Sequence, residues 1–146
     1  MINDWIVVAN ASVAHIYAVT QEKQDREWTL ITTLSHPQGR MKGIDLLADG
    51  QGHYQSGEAG RGAYSPHTEI KDEEADHFAR EITKFLHDHL NQSEFSHLML
   101  AAAPHFYGLL NKHLDKRLKD TVKKTLQKDY AHFTTKELEE AFFGES

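Results

Sequence analysis

The sequence predicts an α/β fold, a mixed β-sheet with helices packed on it, within one domain. Three observations predict it. Three β-rich runs follow one another with short connections near the N-terminus. A strongly amphipathic helix comes next. A buried-type strand and a second amphipathic helix then follow in alternation.

The elements are justified in turn. Trp5-Ile6-Val7-Val8-Ala9 is a continuous apolar run rich in β-branched residues, the pattern of a strand covered on both faces. Asn10-Ala11-Ser12 is turn-like. Val13 to Val19 is a second strand, and the polar stretch Gln21 to Asp25 reads as a turn. Trp28 to Leu34 alternates apolar residues with threonine, as a third strand does. Such short connections imply an antiparallel meander. Residues 36–71 hold seven of the nine glycines and two of the three prolines and show no period, so they are expected to form a long loop. Asp72 to Leu90 is the clearest helix, with Ala75, Phe78, Ala79, Ile82, Phe85, Leu86 and Leu90 on one face. Asp72 is placed to cap it, and Asp76 to pair with Arg80 one turn on. His97 to Ala103 reads as a strand. Pro104 opens a helix whose stripe runs Phe106, Leu109, Leu110, Leu114 and Leu118. Val122 to Leu126 is a fifth strand. Thr134 to Phe143 is a final helix, capped by Thr134 or Thr135 and followed by Gly144. The order β-β-β-α-β-α-β-α is that of a ribonuclease H-like fold.

Composition limits function. The chain has 146 residues and no cysteine, so there is no disulfide framework and no thiolate metal site. A formal charge of −6 argues against broad, nonspecific nucleic-acid binding. The run Trp5 to Ala9 is too short for a signal-peptide core or a membrane span, so a cytoplasmic protein with no membrane insertion is expected.

A ribonuclease H-type nuclease requires carboxylates from the first strand, the first helix and the end of the fourth strand. The first strand's interior is Ile6-Val7-Val8-Ala9 and the fourth ends in Ala101-Ala102-Ala103; Asp4 is expected before its strand, as a solvated end residue. The eleven histidines invite a metal reading. Yet His87 and His89 lie roughly 200° apart on a helix, and His97, His105 and His113 fall on different elements. No metal, cofactor or catalytic residue is therefore assigned. Gly57-Glu58-Ala59-Gly60-Arg61-Gly62 offers backbone amides and a cation to a phosphate, but no strand leads into it and no Lys-Ser/Thr follows. Gly50-Gln51-Gly52 reads as a turn. Lys112, Lys116, Arg117, Lys119, Lys123 and Lys124 form the basic cluster, read either as a solvated helix and strand surface or as a contact for RNA or an acidic protein.

Several stretches, in order and across nearly the whole chain, carry a resemblance. They are Trp5 to Ser12, Leu34-Ser35-His36-Pro37-Gln38-Gly39-Arg40, Asp45-Leu46, the run from Asp49 to Gly62, Phe78-Ala79, Leu98 to Leu110, and Lys128-Asp129. Together they resemble the bacterial host-attachment protein family, described as proteins required for attachment to host cells. That family is similar to the central domain of archaeal and eukaryotic release factors. The resemblance implies a part in attachment, or else a ribosome- or tRNA-associated role. The family's loop pattern resembles Asp-x-Pro-Gly-Arg. Here Asp49-Gly50-Gln51-Gly52-His53 stands instead, without the proline or the arginine.

The functional expectation is a non-enzymatic binding protein acting indirectly in attachment, with a small hydrolase or nuclease as the last alternative. The partner is an unidentified protein, or alternatively the ribosome or RNA, and a homo-oligomer is admissible. A ligand site is expected where the long loop meets the C-terminal end of the fourth strand. Its expected lining is Asn10, Ser12, His36, Arg40, Asp45, Arg61, Pro104 and His105.

Overall fold

The computed structural model describes residues 4–22, 25–36 and 66–144. Strands β1 (Asp4–Ala9), β2 (Val13–Glu22) and β3 (Asp25–Ser35) form an antiparallel meander. Helix α1 (Pro66–Asn91) leads to β4 (His97–Ala101). Then come α2 (Pro104–His113), α3 (Lys116–Thr121), β5 (Val122–Leu126) and α4 (Thr135–Phe143). The five strands make one mixed sheet in the order β3-β2-β1-β4-β5, with β1, β4 and β5 parallel.

β1 is central, as its unbroken apolar run requires: Ile6, Val7, Val8 and Ala9 are all fully buried. Alternation sends Trp5, Val7 and Ala9 to one face and Ile6 and Val8 to the other. The first face packs against Phe78, Ile82, Leu86, Phe106 and Leu110 of α1 and α2. The second packs against Leu138 and Phe142 of α4. Every expected apolar position of α1 is buried except Phe85, which is partly so.

Several boundaries differ from expectation. α1 begins at Pro66, so residues 66–71 are helical rather than part of a loop. Pro66 suits a first helical turn, but only Ile70 among these six is a large aliphatic, which left no period to read. Asp72 is therefore inside the helix and does not cap it. The remainder of the expected loop, 37–65, lies outside the described residues. The helix opened by Pro104 ends at His113 instead of running to Leu118. Asp115 accepts a hydrogen bond from the Leu118 amide (2.8 Å) and caps a separate helix, α3. An aspartate that satisfies a helix N-terminus competes locally with helix continuation. Leu114 and Leu118 still reach the core. β2 and β3 run further than expected, through the polar residues of their hairpin. The added residues, Thr20 to Glu22, Asp25 to Glu27 and Ser35, are all polar and so carry no apolar alternation to read.

α4 starts with a capping box. The Glu137 amide donates to Thr134 Oγ1 (3.2 Å), and the Thr134 amide donates to Glu137 Oε1 (2.8 Å). Thr134→Ala is expected to cost about 1 kcal/mol, measured by urea denaturation. Thr134→Asn should retain most of that stability.

Candidate functional site

The parallel register Val8↔Ala101 carries Asn10 and Ala103 out of the same sheet edge. Residues from β1, β3, α1, α2 and the chain after β5 gather here. Asn10 Oδ1 accepts from the amides of Ser12 (2.8 Å) and Val13 (3.0 Å), which shapes the β1–β2 turn. Its Nδ2 donates to Asp129 Oδ2 (3.3 Å). Asp129 Oδ1 accepts from the Ala131 amide (2.9 Å), fixing the chain beyond β5. The Ser12 carbonyl accepts from the His36 amide (2.9 Å), so the end of β3 is tied to the same turn.

The His36 ring stacks on Phe78 of α1, with centroids 5.3 Å apart, and its Nε2 lies 3.2 Å from Glu74. Phe78 in turn packs on Phe106 of α2 (6.1 Å). Pro104 is the first residue of α2, and the exposed His105 faces Asp72 at 3.4 Å. The result is a polar rim of imidazoles and carboxylates over a buried aromatic pair.

Of the residues expected to line the site, Asn10, Ser12, His36, Pro104 and His105 are at this edge. Arg40, Asp45 and Arg61 lie outside the described residues. Sequence reasoning missed the contacts made by Asp72, Glu74 and Asp129.

The histidines serve another pattern. Three acids on α1 meet histidines from neighbouring parts of the chain: Asp72 meets His105, Glu74 meets His36, and Asp76 meets His113 (2.7 Å). Asp72 and Asp76 are one turn apart; His105 and His113, expected on different elements, both lie on α2, about two turns apart. Further along α1, His87 meets Asp115 (3.1 Å) and His89 meets Glu94 (2.9 Å). Imidazoles and carboxylates thus meet repeatedly along α1.

Asp76 also receives Lys112 (3.3 Å) and Arg80 (3.5 Å). Its carboxyl is held below the usual range, first by the hydrogen bond from His113, with burial opposing and Lys112 adding to the effect. A lowered folded-state pKa means stability that is present above the unfolded carboxylate pKa, about 4. That stability is lost as pH falls from there through the lowered folded value. Asp76→Asn should lower stability at neutral pH and flatten its loss below about pH 4 in acid titrations followed by circular dichroism.

The basic cluster is largely met by its own chain. Lys112 pairs with Asp76, Lys116 with Asp120 (3.1 Å) and Lys123 with Asp4 (2.7 Å). Arg117 donates to Asn91, and Lys124 to the Phe142 carbonyl (2.6 Å). Lys119 is exposed on α3. Asp4 is not a solvated residue ahead of its strand. It is the first residue of β1, its side chain is 18% exposed, and Lys123 pairs with it, with His97 Nδ1 3.5 Å away. This is the end of the parallel strands opposite Asn10.

A second polar cluster escaped the sequence. Glu139 of α4 accepts from Arg26 Nε (2.9 Å) and Trp28 Nε1 (2.8 Å) of β3. Arg26 lies 3.9 Å over the Phe143 ring. Arg26, Trp28 and Glu139, with Asp25, Thr135 and Lys136, border a cleft of about 350 Å³. The Arg26 hydrogen bond holds the Glu139 carboxyl low, against burial and aided by Trp28. The partners are 111 and 113 residues apart, and no local pattern joins them.

Among the described residues, no helix is long and apolar enough to cross a membrane. The profile of a family described as "Protein required for attachment to host cells" matches residues 5–142. The chain is also similar to an uncharacterized protein of Rickettsia prowazekii (strain Madrid E), at 30% identity over 96 residues. That alignment covers 64% of this chain and 64% of the relative.

Proposed function

Given that this chain belongs to the family of proteins required for attachment to host cells, we propose that it is a non-enzymatic binding protein acting indirectly in attachment. It works from the cytoplasm and takes a protein partner at the C-terminal edge of β1 and β4. The observation that carries this reading is the convergence of Asn10, Ser12, His36, Pro104 and His105 at one sheet edge. Crevices outside strand C-termini are the usual ligand sites of α/β sheets. A polar rim suits a polar partner surface.

The ribonuclease H-like reading of the fold belongs to this proposal. It is supported by the strand order and by a meander followed by two parallel additions beyond β1. Nuclease chemistry is not part of it. The interior of β1 is apolar, β4 runs out into alanines, and Asp4 sits at the other end paired with Lys123.

The test is deletion of the gene in the bacterium that encodes it, with attachment counted and a tagged copy fractionated. Reduced attachment with the protein in the cytosolic fraction supports the reading. Stable recovery from the outer surface contradicts it. A ribosome- or tRNA-associated role, related to the release-factor central domain, is the alternative. It rests on Lys112, Lys116, Arg117, Lys119, Lys123 and Lys124. Co-sedimentation with ribosomes at physiological salt, lost on charge reversal at Lys116 and Lys119, would favour that alternative instead.

A further inference from the structure

The two edges of the sheet are built differently. β5 has five residues, two of them lysines. Shortness and lysine both discourage pairing with another chain. β3, at the other edge, has eleven residues, and Trp28 to Ser35 carries no charge and no proline. No described strand pairs with its outer side. Among the described residues, the exposed large hydrophobics are Leu30 (52%) and Ile31 (39%), and both are on β3.

Ile31 is the extra residue of a bulge, because Tyr17 pairs with Leu30 and Ile16 with Thr32. The bulge reverses the strand's faces. Trp28 lies on the α4 side, whereas Leu34 packs on the α1 side. α4 reaches Trp28 through Glu139 and Phe143. Leu30 lies beyond that contact, paired with Tyr17. Bulges often guard an edge, but this one presents an isoleucine where a charge would repel.

The charges of β3 are Asp25, Arg26 and Glu27, all in its first three residues. A second copy laid antiparallel sets them against the uncharged end of its partner. In the register that opposes Leu30 and Ile31, Asp25 faces His36 and Glu27 faces Leu34. A parallel copy would oppose like charges, which is destabilising. Antiparallel pairing is also the arrangement a two-fold axis produces, with each residue used twice.

We propose that β3 pairs with β3 of a second copy of this chain, antiparallel about Leu30 and Ile31. The sheet then continues across both copies and covers the two exposed side chains. Sedimentation velocity on the full chain should show a dimer. Ile31→Lys should raise its dissociation constant at least ~30-fold without changing the circular dichroism spectrum. Because the chain lacks cysteine, Ile31→Cys should give a disulfide-linked dimer on mild oxidation, while Lys119→Cys on α3 should not. Three results would each overturn the proposal. They are a wild-type monomer at about 100 μM, an Ile31→Lys dimer as tight as wild type, and Ile31→Cys cross-linking no faster than Lys119→Cys.

Discussion

Trp5→Ala should destabilise the protein by about 3–5 kcal/mol, the usual cost of deleting a large aromatic from a core. Trp5 is 2% exposed at the start of the central strand. Its ring stacks on Phe95 (4.7 Å) and lies near Phe85 (6.3 Å) and His89 (5.5 Å). It therefore holds together β1, the C-terminal part of α1 and the turn into β4. A domain of this size has about 5–15 kcal/mol in total, so the variant should be partly unfolded at 37 °C. In urea the midpoint should fall by about 2 M. Trp28 remains as the fluorescent reporter. A fall of less than about 0.5 M would show that the cluster is dispensable.

Phe78→Ala should cost a similar amount, about 3–5 kcal/mol, with a second consequence at the candidate site. Phe78 is fully buried and stands between His36 and Phe106. Removing it takes away the surface on which the His36 ring is stacked. Hydrogen exchange at the His36 amide, which donates to the Ser12 carbonyl, should quicken relative to β1 amides. Trp5→Ala should accelerate exchange more evenly. If Phe78→Ala unfolds the domain outright, Phe78→Leu leaves a smaller cavity and should loosen His36 with a smaller loss of stability. Unchanged His36 exchange in Phe78→Leu would mean that the stacking does not hold the ring's strand end in place.

Much of this fold was legible because apolar periodicity survives translation into structure. The run Trp5 to Ala9 reads as a buried strand, and it is one. The apolar face of α1 and the span of β5 were read correctly for the same reason. What escaped had no apolar period. The hairpin ends of β2 and β3 are Thr20-Gln21-Glu22 and Asp25-Arg26-Glu27, which carry no apolar alternation. The first turns of α1 offer only Ile70. The break before α3 is set by one aspartate, Asp115, inside a stripe that otherwise continues.

The candidate site was half legible. Turn chemistry pointed to Asn10 and Ser12, and the proline at the start of α2 placed His105. Glu74 and Asp72 were visible as helix acids, but their histidine partners are 38 and 33 positions away. Only the packing of α1 against β3 and α2 brings them together. Arg40, Asp45 and Arg61 lie outside the described residues; among the described ones, His36 is at the site.

The central claim is that the edge carrying His36 and His105 is where this protein binds in support of attachment. The direct measurement is attachment by a deletion strain that expresses His36→Gln/His105→Gln at wild-type level, after a thermal melt confirms a folded domain. Lys119→Ala serves as a control distant from the edge. The double variant should attach no better than the empty-vector strain, while Lys119→Ala restores attachment in full. Full restoration by the folded double variant would contradict the claim.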